Sequence, residues 1–288
     1  SGLSLSLRRG LSLISIGFLS LACLASFPLS TAMGVHQQAE GFLKDNEGVK
    51  AFERMNLAAE IVPWTPVYPV HLGKRFMNLR ETAESDEEFQ ELSEIAIDYF
   101  QQGIDAAPND QWFHHELGLA AYPVNSERAE EAFTRVVQLL PRGNFYDYYL
   151  LALAYLANDQ PQEKVITALA LQGLVEPEFL TFPVWENNEQ LSRLKEPVLE
   201  KTLGYLEALQ ERLIPDSEDY NQVYEYQVLL RWWHEQRLPE IEMSRLRPVS
   251  QALLMAETSQ EEALSIVETA LEETPESSSL LLLQAWLN

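Results

Sequence analysis

Along most of this chain, apolar residues recur three and four positions apart with Glu, Gln, Arg and Ser between them, the period of one buried helix face. The stretch AEEAFTRVVQLLP (Ala129–Pro141) shows the unit. It has a small residue at Ala129, a large one four later at Phe133, a smaller one at Val136 and a proline five beyond. Small residues let two helices approach, the large one fills the gap, and proline ends the helix because it has no N–H for the preceding turn. No stretch alternates apolar and polar residues over a strand's length, so strands are not expected.

The spacing returns like the teeth of a comb. AFERMNLAAEIVP places Ala51, Met55, Ala58 and Pro63, and AIDYFQQGIDAAP places Ala96, Phe100, Gly103 and Pro108. ALSIVETALEETP places Ala263, Val267, Ala270 and Pro275, while VITALALQGLVEP is a degraded copy with Val165, Leu169 and Pro177. Successive prolines lie 45, 33, 36 and 98 residues apart. Two intervals sit near the roughly 34-residue period of tetratricopeptide repeats, pairs of antiparallel helices that stack on the next pair. The longest interval leaves room for poorly matched units, and the 45-residue one holds the acidic stretch ETAESDEEFQE. First helices carry marks of their own at Leu72-Gly73, Leu117-Gly118 and Leu151-Ala152. Ser85 with Glu88, and Ser259 with Glu262, have the spacing of capping boxes. The expected fold is all-α, a tetratricopeptide-like α-solenoid of stacked helical hairpins whose second helices end close to Pro63, Pro108, Pro141 and Pro275.

After Pro177 the pattern loosens. EFLTFPVWENNEQLSRL reads as a linker punctuated by Pro and Asn, and PVLEKTLGYLEALQERL as a helix starting near Pro197. That helix is expected to bury Leu199, Leu203, Leu206, Leu209 and Leu213. SSSLLLLQAWLN looks like the first helix of a further unit. With Ser rather than Met at position 1, the chain is expected to be a piece of something longer.

The N-terminus is of another kind. Two arginines, Arg8 and Arg9, precede Leu11–Met33, 23 residues without a charge. At about 1.5 Å per residue such a helix reaches across a hydrocarbon core of about 30 Å. One transmembrane helix ahead of the repeats is therefore expected. The alternative is a cleaved signal peptide with Ser30-Thr31-Ala32 as its small-residue site. The arginines favour a cytoplasmic N-terminus, and either arrangement exports the chain from Gly34 onward. The expected location is the plasma or inner membrane, with the repeats on its periplasmic side.

Composition narrows the chemistry. Forty-four acidic residues against 20 Lys and Arg give a formal charge of −24, a surface that repels phosphate backbones; nucleic acid is not expected as a partner. Cys23 is the only cysteine, so neither an internal disulfide nor a thiolate zinc site can form. His114 and His115 are neighbours on a helix and point about 100° apart, unlike a chelating i, i+4 pair. His234-Glu235 lacks a second histidine at zinc-protease spacing, and there is neither a glycine-rich phosphate loop nor a GxSxG. No catalytic residue, metal or cofactor is expected within these residues.

A binding surface is the remaining possibility. In a tetratricopeptide unit the second, fifth and ninth positions of the first helix line the concave groove. Counting Leu72, Leu117 and Leu151 as position seven yields Lys74, Trp112, His115, Tyr146 and Tyr149. They are expected to share one exposed strip that takes a protein or peptide, or a glycan stacked on the rings. The structural alternative is that Trp112 and Tyr146 pack between repeats.

Two blocks carry a resemblance. VPWTPVYPVHLG (Val62–Gly73) and EPEFLTFPVWENNEQLSRL, with AEEAFTRVVQLLPRGNFYDYYLLALAYL between them and LLRWWHEQ beyond, resemble in order the C-terminal repeat region of O-antigen ligase/polymerase-like membrane proteins of cyanobacterial type. The likeness covers about residues 35–240. It implies a polytopic parent that transfers or polymerises lipid-linked glycans for O-antigen or surface polysaccharide. The catalytic residues of that family lie in a multi-span portion absent here, so none is carried over. The implied organisation is a last membrane helix at 1–34, a repeat domain at 35–213 and further helical repeats at 214–288. A free-standing anchored or secreted repeat adaptor is the other reading.

Overall fold

The computed structural model describes residues 5–45, 47–143, 146–235 and 241–288; within 5–25 it describes the backbone, with side chains only at 20 and 24. Arg8, Arg9, Cys23 and most of Leu11–Met33 thus fall outside the described side chains. Among the described residues there is no strand, and no helix is long and apolar enough to cross a membrane. The chain divides into two compact units, residues 1–165 and 166–288.

The first unit holds α1 (Leu5–Lys44), α2 (Gly48–Ile61), α3 (Val67–Arg80), α4 (Asp86–Ala106), α5 (Gln111–Ala121), α6 (Ser126–Leu139), α7 (Asp147–Ala157) and the start of α8 (Gln162–Val175). The pairing begins earlier than the comb. Ala32 and Ala39, one heptad apart on α1, are buried together with Ala58 and Met55 of α2. The later pairs are α3 with α4 and α5 with α6. Their shared core joins Ala96, Phe100, Leu117, Ala129, Phe133 and Leu151.

Each comb tooth ends in the same way. The residues before the five prolines, Val62, Ala107, Leu140, Glu176 and Thr274, take φ between −143° and −132° and ψ between 67° and 89°. Proline's ring disfavours helical angles at its predecessor, which helps the chain leave the helix there. Each of these residues still donates its N–H to the carbonyl four before it, at Ala58, Gly103, Val136, Gln172 and Ala270. The exit is thus a fixed joint rather than a frayed end.

The small residues act where helices touch. A Cβ built on Gly118 would stand 2.5 Å from the Phe133 ring, one on Gly73 2.8 Å from Phe100, and one on Gly103 2.5 Å from Val70. The "LG" marks are therefore sockets for the large comb residue of the partner helix. Ser85 accepts from the Glu88 N–H at 3.1 Å and Ser259 from the Glu262 N–H at 3.2 Å, capping α4 and α14 (Gln260–Glu273). The Glu88 carboxylate accepts from the Glu84 N–H at 2.8 Å, one residue before the N-cap that the usual box would engage.

The second unit corrects two expectations. EFLTFPVWENNEQLSRL is no loose linker: it forms a 3₁₀ turn (Pro177–Thr181), α9 (Val184–Asn187) and α10 (Glu189–Ser192). Phe179, Leu180, Trp185 and Leu191 are all buried, and the Trp185 Nε1–H donates to the Phe179 carbonyl at 2.9 Å. Proline and asparagine broke the helical period there without exposing the chain. On α11 (Lys195–Gln210) the buried face is Val198, Leu199, Thr202 and Leu206, while Leu209 is exposed and Leu203 and Leu213 are only partly covered. Every third or fourth leucine exceeds what one helical neighbour can cover. α12 (Glu218–Glu235), α13 (Pro248–Met255), α14 and α15 (Ser278–Leu287) complete the unit. The Tyr226 hydroxyl donates to the Gly173 carbonyl at 2.6 Å, and burial holds its pKa well above the ordinary tyrosine value.

The sockets and the histidine pair at the rim each give a prediction. Gly118→Ala should destabilise the chain by about 1–3 kcal/mol through overpacking, and Phe133→Leu in the same molecule should recover part of it; urea unfolding measures both. The second concerns His71, at the rim of the first unit with the His36 ring 5.5 Å away. Loss of solvent on one side, then the nearby His36, hold the His71 pKa below its ordinary value. A depressed pKa means its stabilising contribution is present above the unfolded value of about 6.5 and is lost as pH falls through the folded value. The melting temperature of His71→Gln should therefore fall less than that of the parent chain between neutral pH and about pH 5.

Candidate functional site

The first helices α3, α5 and α7 each carry some of the groove positions, and their polar side chains form a continuous chain of contacts. Lys74 on α3 places Nζ 2.9 Å from Glu116 Oε1 and 5.0 Å from the centre of the Trp112 ring, both on α5. The Trp112 and His115 rings stack at 5.3 Å with 11° between their planes. His115 Nδ1 in turn lies 2.7 Å from Asp147 Oδ1, at the first position of α7. Asp110 opens α5 by accepting from the Trp112 N–H at 3.0 Å, which fixes where the indole leaves the backbone.

Burial along this chain is uneven. Trp112 is 36% exposed, whereas His115 lies buried beneath it with its ring edge towards Phe133, 6.2 Å away. His115 is thus a support for the strip and not part of its surface. Asp147 is 2% exposed, and its Oδ2 has no hydrogen-bond partner among the described residues. Gly143 closes that side, where a Cβ would come within 3.2 Å of Oδ2. Tyr146 precedes Asp147 in the left-handed region, with φ 58° and ψ 25°, unusual for a bulky residue. Tyr148 points the other way and donates its hydroxyl to the Pro141 carbonyl at 3.1 Å. Tyr149 is half-buried; its hydroxyl is pushed above the ordinary value by burial and then by Tyr122.

Lys74, Trp112 and His115 are therefore brought together directly, with Tyr149 on the helix that supplies Asp147 and Tyr146 at its N-cap. The arrangement offers a half-open indole, an ammonium and a carboxylate, and no nucleophile beside a base. Among the described residues no three His, Cys, Asp or Glu are placed to hold a metal ion. His114 Nε2 lies 3.0 Å from the Pro108 carbonyl, so that histidine is tied to its own turn. His234 Nε2, in the second unit, lies 2.9 Å from Glu196 Oε1.

No protein-family model matches the chain, and no curated protein matches it. Solved structures are similar to it at low identity. The MamA protein is 14% identical, with a TM-score of 0.42 over 75% of this chain and 98% of that one. PilW, a widely conserved type IV pilus biogenesis factor, is 12% identical with a TM-score of 0.38 over 88% and 97%. A thermophilic TPR protein from Thermus thermophilus is 17% identical, with a TM-score of 0.32 over 77% and 98%. The tetratricopeptide-like character of this chain rests on its own hairpins, their sockets and their proline exits.

Counting positions found Trp112 and His115 but missed Asp147. That residue sits one place after the counted Tyr146, where an acid at a helix start has an ordinary capping explanation. The one signal for it was its separation of 32 residues from His115, close to a repeat period. Asp147→Ala should cost about 1–3 kcal/mol, because His115 is left buried without its partner. His115→Ala combined with Asp147→Ala should cost less than the two singles summed, as read from a urea double-mutant cycle.

Proposed function

We propose that this chain is a non-catalytic interaction scaffold whose strip of Lys74, Trp112, Tyr146 and Tyr149, underpinned by His115, takes a protein or peptide partner. The observation that carries this reading is the indole left half open while its neighbours are fixed: Lys74 by Glu116 and His115 by Asp147. A pre-ordered aromatic loses little entropy on binding, so its contact area converts into affinity. Because Lys74 and His115 already lie against the indole, an incoming side chain competes with them for its surface.

The wider setting extends the proposal. The order of the PWTPVYP and FLTFPVW blocks supports a place at the C-terminal end of an O-antigen ligase/polymerase-like membrane protein, with Leu11–Met33 as its anchor and the repeats on the periplasmic side. The scaffold would then hold a partner, or the growing glycan, beside the enzyme's outer face. A free-standing anchored or secreted adaptor would use the same strip. Coding sequence ahead of Ser1 separates the two: several more hydrophobic spans support the first, and an initiator Met close by supports the second. If the anchor is real, detergent and not high salt will extract the chain from membranes, whereas a soluble product starting near Met33 would establish a cleaved signal.

Peptides selected by display against the 288-residue chain test the strip. They should bind Trp112→Ala roughly two- to thirteenfold more weakly, the range expected for stacking worth about 0.5–1.5 kcal/mol, with melting temperature little changed. Unchanged affinity would remove Trp112 from the binding face. A large loss of melting temperature in both Trp112→Ala and Tyr146→Ala would make them packing residues.

A further inference from the structure

Most of the acidity of this chain lies beyond its third helix. Residues 81–288 hold 39 acidic side chains against 12 Lys and Arg, whereas residues 34–80 hold five against six. Two runs near that balanced part carry no Asp, Glu, Lys or Arg at all. They are residues 10–39, on α1, and residues 61–73, from the end of α2 into α3. Glu60 and Lys74 bound the second run.

The fold packs these two runs together. Ala32 of α1 is buried in one cluster with Ala58 of α2, Val62 at its end and Tyr68 of α3. One turn further along α1, the His36 ring lies 5.3 Å from that of Tyr68 and 5.5 Å from that of His71. The connection from α2 to α3 therefore stands level with the last turn of Leu11–Met33. It is short and fixed: the Thr65 N–H donates to the Val62 carbonyl at 2.9 Å, and the Val70 N–H to the Pro66 carbonyl at 3.1 Å. Val62 and Tyr68 turn inward, while Trp64 and Val67 are 57% and 47% exposed. At the same level of α1, Leu29 and Met33 are exposed as well. The hairpins that this connection joins, α1 with α2 and α3 with α4, are both in place, so no further repeat is due over Trp64.

An exposed indole on an uncharged rim, level with the end of a long apolar run, has the setting of an interfacial tryptophan. Its ring suits the boundary between acyl chains and headgroups, with the N–H left to water. Charge points the same way. Anionic headgroups repel the acidic remainder of the chain but not the balanced residues 34–80. We propose that the α2–α3 connection rests on the surface of the bilayer that α1 enters, with Trp64 and Val67 in its headgroup layer. The proposal builds on the reading of Leu11–Met33 as an anchor and adds a second attachment, off the axis of α1. Two such contacts limit how far the first unit can tilt, as interfacial aromatic anchors do for a spanning helix.

The test uses the 288-residue chain reconstituted into phosphatidylcholine vesicles. Their acyl chains carry bromine, a contact quencher of indole emission, either near the headgroup or near the chain end. An anchored chain floats with the vesicles in a density gradient. Shallow bromine should then remove the emission of one indole among the six, and deep bromine should remove less. That loss should disappear in Trp64→Phe and remain in Trp286→Phe, with both melting temperatures unchanged because both rings are exposed. Val67→Glu, which puts a charge on the rim, should weaken the shallow quenching without releasing the chain from the vesicles. A floating chain whose Trp64→Phe variant is quenched as strongly as the parent would overturn the proposal and leave the anchor standing. Stronger quenching of Trp64 by deep bromine would overturn it too, by placing the indole in the hydrocarbon core. A chain that stays behind in the aqueous fraction would remove the anchor and the proposal with it.

Discussion

Paired helices in the first unit sit at a separation set by the absence of side chains. Where Gly73 meets the Phe100 ring and Gly118 meets the Phe133 ring, there is no room for even one methyl group. The large comb residue enters the space that glycine leaves open, and the alanines at Ala96 and Ala129 let the flanking turns follow. Interhelical spacing of this kind fixes crossing geometry as well as distance, because ridges can only settle where the partner's groove is empty. Proline then fixes where the chain leaves. All five exits share one backbone conformation.

The contacts of the candidate strip depend on that repetition. Side chains on successive first helices meet only if the hairpins carrying them repeat in register. His115 reaches Asp147 across 32 residues, and Lys74 reaches Glu116 from one first helix to the next. Neither pair could form if a socket were filled or a proline exit displaced. Asp147 shows the consequence most clearly, since a carboxylate 2% exposed is tolerable only with a donor held against it. The strip is therefore a product of the packing, although none of its polar members belongs to the apolar core.

Charge follows a different logic in the two units. In the first, lysine and arginine are placed on specific acids or rings, as with Lys74 on Glu116 and Arg80 over Phe89. Arg245 and Arg247 do the same in the second, where Arg247 and Ser250 satisfy the buried Glu225. Beyond Pro248 that pattern stops: the stretch to Asn288 has seven glutamates and no Lys, Arg or His.

Hairpin ends and sockets were legible in the sequence because their causes are local. A helical period is visible over a dozen residues, proline lacks a donor wherever it stands, and a Leu-Gly pair marks the first helix at Leu72-Gly73 and Leu117-Gly118. The segment from Pro177 to Ser192 misled for the same reason. Proline and asparagine do interrupt a helix, but whether Trp185 and Phe179 are buried depends on neighbours that periodicity does not name. The leucines of α11 likewise repeat with helical spacing on both the covered and the open side, so the pattern could not say which of them the core would reach. Tertiary structure alone placed Asp147 against His115 and put His115 beneath Trp112. Such pairings join residues whose separation along the chain carries no energetic signal until the hairpins between them have packed, and only then does one partner's burial make the other's presence necessary.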